Sequence, residues 1–150
     1  TAYVMMGDKN KALETQQYRS RIAEDAAAKA TTPTEARAFD KVRVAAYVDS
    51  GKPQRAIELL QQREREHPHG YVTPSLLADV LRSIGRHDDG LDALERAIGN
   101  SEGPRRCAYL EEKVLWLEQL GRAPEQLQAL DLITADERKK ENLAVRGGVL

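Results

Sequence analysis

Three residue groups have the types that carry chemistry. His67 and His69 flank Pro68, and His87 lies eighteen residues past His69. A histidine pair at that spacing is a candidate metal site. However, His67 and His69 fall in a link between apolar stretches. His87 falls in a turn at the far end of the next stretch, about 15 Å away or more if ten helical residues intervene. No cysteine or clear carboxylate set completes a shell there, so solvated loop histidines are the expectation. Cys107, the only cysteine, follows Arg105 and Arg106 near an expected helix start, where a thiolate would be stabilised. No neighbouring histidine makes a nucleophile pair, so a structural cysteine is expected. Asp88 and Asp89 precede a helical stretch and suit the positive end of its dipole. The chain lacks a phosphate loop, a G-x-S-x-G elbow and an H-E-x-x-H pair, and Gly147–Gly148 reads as a tail. No catalytic residue, cofactor or metal is expected.

Composition narrows the class. The 150 residues carry 23 Lys and Arg against 24 Asp and Glu, a net charge of −1. That balance argues against nucleic acid held by bulk phosphate neutralisation and against a polybasic membrane anchor. No apolar run approaches the length of a membrane span. With 41% hydrophobic and 31% charged residues, the chain is neither disordered nor membrane-embedded. A lone cysteine excludes an internal disulfide. Few aromatics and abundant Ala, Leu, Glu, Gln and Arg point to helices.

The elements that must position any site come from an internal repeat. Gly7, Gly51, Gly85 and Gly121 each follow an apolar helical stretch, at spacings of 44, 34 and 36 residues. A small residue stands five positions later in three copies, as Ala12, Ala56 and Gly90, with Gln126 in the fourth; Leu13, Ile57, Leu91 and Leu127 follow. Each copy reads as a helical hairpin whose first helix ends at the glycine. The small residue lets the two helices approach. Pro33, Pro53, Pro74, Pro104 and Pro124 fall at expected helix starts, and Pro68 falls in a link. Thr32–Glu35 and Thr134–Glu137 match the capping-box spacing, and Thr73 is an expected N-cap. The expected helices are 1–6, 9–30, 34–50, 53–66, 74–84, 87–99, 104–120, 123–133 and 135–146, with no strand. The second, about 33 Å long, accounts for the longer first spacing. Arg105–Arg106 and Arg138-Lys139-Lys140 are expected to be solvated, and Trp116 to lie in the core with its N–H at the rim.

On these residues the chain resembles the tetratricopeptide repeat family, whose period is 34 residues. Val44, Tyr47, Gly51, Ala56, Leu60 and Pro68 carry the pattern in one copy. Ala78, Leu81, Gly85, Gly90, Leu94 and Ala97 carry it in the next, and Val114, Leu117, Gly121, Leu130 and Ile133 in the last. Arg63, Glu102 and Gln126 depart from it. Pentatricopeptide repeats share the period and read RNA, but would be more basic. The resemblance implies an all-α, right-handed α-solenoid of stacked antiparallel hairpins over 1–134. A partial first hairpin occupies 1–36, repeats follow at 37–70, 71–106 and 107–134, and a capping helix and tail fill 135–150. In that family the first helices of successive hairpins line a concave groove for a peptide or partner helix. The corresponding residues here are Ala38, Lys41, Ala45, Val48 and Asp49; Val72, Ser75, Asp79, Arg82 and Ser83; and Ala108, Glu111, Leu115, Glu118 and Gln119. Some members clamp a chaperone's C-terminal carboxylate with Lys and Asn. Lys41 fits one such position, but Ala45 stands where Asn is required, so no chaperone-tail clamp is expected.

The resemblance therefore implies a protein-interaction scaffold that holds a peptide or partner helix, without nucleic acid or membrane insertion. The other implied role is a helical regulatory or peptide-sensing part of a larger enzyme or transcription regulator. A cytoplasmic location is expected. The chain begins at Thr1 without a signal pattern, and reads as a segment of a longer protein. Tyr3, Met5 and Met6 form an apolar N-terminal edge, expected to pack on upstream chain or on a second copy. The C-terminal end reads as a charged capping helix anchored by Leu143 and Val145.

Overall fold

A computed structural model describes residues 9–147, with the side chains of residue 33 and of residues 140–147 left aside. Eight helices account for them: α1 Lys9–Lys29, α2 Pro33–Ala38, α3 Asp40–Asp49, α4 Pro53–Glu66, α5 Val72–Ser83, α6 His87–Gly99, α7 Gly103–Gln119 and α8 Ala123–Gly147. No strand occurs among the described residues, and no described helix is long and apolar enough to cross a membrane. The expected helix at 1–6, with the edge residues Tyr3, Met5 and Met6, lies outside the described residues. So do Gly148 and the side chains of Leu143 and Val145.

Three turns share one geometry. Gly51, Gly85 and Gly121 have φ of 72°, 78° and 70°, the left-handed conformation that glycine adopts without steric cost. The next residue's N–H then reaches back to a carbonyl of the preceding helix. Lys52 bonds Tyr47, Arg86 bonds Leu81 and Arg122 bonds Leu117, at 2.8, 2.9 and 2.9 Å. This six-to-one bond satisfies a carbonyl that the helix end leaves open. It delivers the chain into α4, α6 and α8 in turn, giving three repeat-like helix pairs: α3–α4, α5–α6 and α7–α8. Each helix from α3 onward packs on the next, and α1 packs directly on α3.

The core runs along this succession. Tyr47 of α3, Ile57 and Leu60 of α4, Leu77 and Leu81 of α5, Leu91 and Leu94 of α6 and Leu110 and Trp116 of α7 form one buried cluster. Ala56 is 0% exposed. A Cβ on Gly90 would lie 2.5 Å from Cη2 of Trp116 and 3.3 Å from the Ala78 carbonyl. The small position in this pair therefore serves α7 as well as α5. Polar ties join helices two apart: Arg96 of α6 donates to Glu64 of α4 at 2.5 Å, and Arg82 of α5 to Gln119 of α7 at 2.6 Å. Asn100, closing α6, donates to the Pro68 and Gly70 carbonyls at 2.9 and 3.1 Å, which holds the α4–α5 link.

Several expectations need correction. The helix expected over 34–50 breaks at Phe39. Asp40 opens α3 there, and its buried carboxylate accepts from Arg43 of the same turn and from Arg63 Nε of α4 at 2.7 Å. That cross-helix pair gives Arg63 a partner inside the fold. The two helices expected at 123–133 and 135–146 are one, α8. Thr134 is not an N-cap; its hydroxyl donates to the Leu130 carbonyl at 3.1 Å. Nothing breaks the helix there, so i→i−4 bonding continues through Ala135. Thr73 lies inside α5, whose N-cap position falls at Tyr71 with no side-chain capping bond. The capping box at Thr32 forms as expected, with Glu35 accepting from the Thr31 and Thr32 N–H groups.

Candidate functional site

The expected groove residues sit on α3, α5 and α7, except Ala38, which the break at Phe39 leaves on α2. Most are exposed: Lys41, Ala45, Asp49, Val72, Asp79, Ser83, Ala108, Glu111, Leu115, Glu118 and Gln119. Val48 is half-buried against the core cluster, so it supports packing more than it offers contact. Ser83 donates to the Val80 carbonyl of its own helix. Ser75 is half-buried.

Charged side chains from all three helices are coupled electrostatically to Asp79. Packed helices desolvate its carboxyl and push its pKa above the ordinary aspartate value, although one edge stays exposed; the Arg82 and Lys41 charges oppose the rise. Glu112 of α7 is shifted up in the same way, by burial first and then by the Asp79 charge, with Arg82 opposing. The Arg82 charge opposes the rise at both carboxyls. Its guanidinium donates to Gln119 and rests 4.9 Å from the Trp116 ring centroid. That stacking geometry holds the cation against an aromatic face and limits how far it can swing toward either carboxyl. The result is two electrostatically coupled carboxyls whose opposing arginine is already engaged by Gln119 and Trp116.

Trp116 organises this face from beneath. It is 1% exposed, and its indole N–H donates to Nδ1 of His87 at 3.2 Å. His87 is therefore no solvated loop histidine: it opens α6, half-buried, and satisfies the one polar atom of the tryptophan. His67 and His69 are exposed at the end of α4 and in the link. Among the described residues, no group of three or more His, Cys, Asp or Glu is placed to hold a metal. Asp88 and Asp89 sit in the first turn of α6. They are not merely dipole partners: Arg122, from the α7–α8 turn, donates to Asp88, and Arg86 pairs with Asp89 at 2.7 Å. Arg106 also departs from the solvated reading. It donates to Asp136 of α8 at 3.0 Å and to the Ile98 carbonyl at 3.1 Å. Cys107 is half-buried in α7.

Sequence reasoning did not single out Glu112. The repeat phase selects Glu111 and Leu115 on α7, yet Glu112, one turn before Trp116, is the residue whose carboxyl is coupled to the Asp79 charge. Its i,i+4 relation to the tryptophan was the available signal. No family model matches this chain, and no curated protein or solved structure matches it either.

Proposed function

We propose that this chain is a protein-interaction module of the tetratricopeptide type. Its three helix pairs stack as a right-handed superhelix, and the face of α3, α5 and α7 binds an extended partner segment carrying a basic side chain. Three observations support the arrangement: the identical glycine turns, the order in which successive helices pack, and the ties between helices two apart. The observation that carries the ligand preference is the raised pair Asp79 and Glu112. Two carboxylates whose charge is disfavoured by partial burial and by each other gain most from a lysine or arginine that offsets that cost. Exposed Leu115 and Val72 offer apolar contact along the same side. Affinity would come from the apolar contacts and main-chain burial, with the acidic pair setting register and specificity.

Trp116, the only tryptophan, lies under Arg82 and reports directly on this face. Its fluorescence is expected to change saturably with lysine- or arginine-bearing members of an extended-peptide library and not with acidic members. Asp79→Lys with Glu112→Lys is expected to abolish the response. A library without a basic binder, or binding that survives the double substitution, overturns the proposal. Binding of an acidic chaperone-tail peptide that is lost on Lys41→Ala would do so as well.

A further inference from the structure

Arg21 of α1, Lys52 of the Gly51 turn and Arg55 of α4 line one cavity of about 380 Å³. The turn brings the last two together. It closes α3, places Lys52 at the N-cap position of α4 and leaves Arg55 in the first turn of that helix. α1 brings the first. It packs on α3, and the Tyr47 hydroxyl donates to Glu24 Oε1 at 2.5 Å. Arg21 precedes Glu24 by about one helical turn, so this tie sets it beside the same glycine turn. All three cations are exposed, so a ligand reaches them without the helices opening. Tyr47, 6% exposed, closes the floor.

The charges in this cavity do not cancel. Glu24 is the one acid among its lining residues, and Tyr47 already engages one of its oxygens. Burial first, and then that bond, raise the Tyr47 pKa, so the phenol stays protonated and serves as the donor. Arg43 acts on the same hydroxyl, but its charge is shared with Asp40. Asp25, Asp49 and Glu58 stand within four residues of a lining cation in the sequence. None of them lines the cavity, and among the described residues none pairs with Arg21, Lys52 or Arg55. Glu58 accepts from Gln54 instead. Three cations thus face one carboxylate, an excess of two positive charges. The remaining walls are polar as well. Gln17 and Ser20 of α1 add an amide and a hydroxyl, while the Ser50 hydroxyl donates to the Tyr47 carbonyl. With no aliphatic side chain lining it, the cavity offers little to an apolar ligand.

We propose that this cavity binds the phosphoryl group of a phosphate monoester. Such a group carries about two negative charges at neutral pH, which matches the excess. Two guanidinium forks on different helices present donors to its oxygens, and Lys52 adds a third positive charge. A carboxylate would bring half the charge. A nucleic acid backbone would need cations continuing beyond this one cavity, where Asp25, Asp49 and Glu58 stand instead. The site shares no residue with the Asp79 and Glu112 pair, so it holds or fails independently of the peptide-binding reading.

Titration calorimetry of the whole chain at about pH 7.5 and fixed ionic strength tests this. The probes are inorganic phosphate, O-phosphoserine, a short phosphoserine peptide and the same peptide unphosphorylated. Saturable binding of one phosphoryl group per chain is expected, with a dissociation constant below about 1 mM. Arg21→Gln with Arg55→Gln is expected to weaken it at least about tenfold. Arg65→Gln, the same charge change at the far end of α4, is expected to leave it unchanged. Circular dichroism checks helix content, and Lys52→Gln serves if the double variant loses it. Comparable affinity for inorganic phosphate and the phosphopeptide supports the proposal with small phosphate esters as the source. A much tighter phosphopeptide supports it with a phosphorylated protein as the source. The proposal is overturned if no phosphorylated probe binds saturably, or if the unphosphorylated peptide binds equally well. A folded double variant that keeps its affinity, or an equal loss in Arg65→Gln, overturns it too.

Discussion

Gly90 and Gly99 lie on the same helix in opposite circumstances. At Gly90 a methyl group would meet the Trp116 ring at 2.5 Å, and the ring is buried and held by His87. Gly90→Ala is therefore expected to overpack and to cost about 1–3 kcal/mol in urea unfolding. A Cβ at Gly99 meets nothing within 4 Å, so Gly99→Ala is expected to stabilise by about 0.5–1 kcal/mol through lost unfolded-state entropy. The acidic pair makes a second residue-scale prediction. Asp79 and Glu112 have raised folded-state pKa values, so the native state binds more protons than the unfolded chain across the window above their ordinary values. Their contribution to stability rises as pH falls from neutral toward about pH 4. Asp79→Asn with Glu112→Gln removes that component. The gap in urea midpoint between the variant and the wild type is expected to be largest near neutral pH, in the variant's favour, and to close on acidification.

Local signals decide helix boundaries only where tertiary contacts leave them alone. Thr32 forms its capping box at the start of a short helix, so Thr32→Ala is expected to cost about 1 kcal/mol. Thr134 has the same flanking pattern but lies inside α8 with its hydroxyl turned back on Leu130. Thr134→Ala is therefore expected to leave stability unchanged or to raise it by a few tenths of a kcal/mol, from propensity alone. Chemical denaturation of the two variants side by side measures the contrast. An equal loss in both would mean that α8 breaks at Thr134 after all. The division of α2 from α3 has the opposite origin: Asp40 is drawn into a pair with Arg63, twenty-three residues away, which no local pattern encodes.

Across the whole chain, burial is concentrated in the middle. The core cluster draws on α3 through α7, and α5 packs most extensively, on α6. α1 buries Ala23 alone, and the described part of α8 buries Ala129 alone among its hydrophobic residues. Because each helix leans mainly on its neighbours, stability is expected to be graded rather than uniform. Native-state hydrogen exchange is expected to be slowest in α4, α5 and α6 and fastest in the first turns of α1. Uniform protection from α1 to α8 would contradict this picture.

The glycines, prolines and apolar periodicity were enough to determine the all-helical class and the helix pairs turning at Gly51, Gly85 and Gly121. Those features rest on bonds and sterics within about one helical turn, and such short-range physics is written in residue type and spacing. The sequence also placed Lys41, Asp79, Arg82 and Gln119 on the first helices of the pairs, α3, α5 and α7. Only the tertiary structure decided what crosses between helices. It coupled the charges of Glu112 and Asp79, and set His87 on the indole N–H of Trp116 and Arg63 on Asp40. It also left Leu127 open where Ile57 and Leu91 are covered. Each of these depends on the rotation and separation of packed helices, which small shifts in side-chain volume alter and which no single helix specifies.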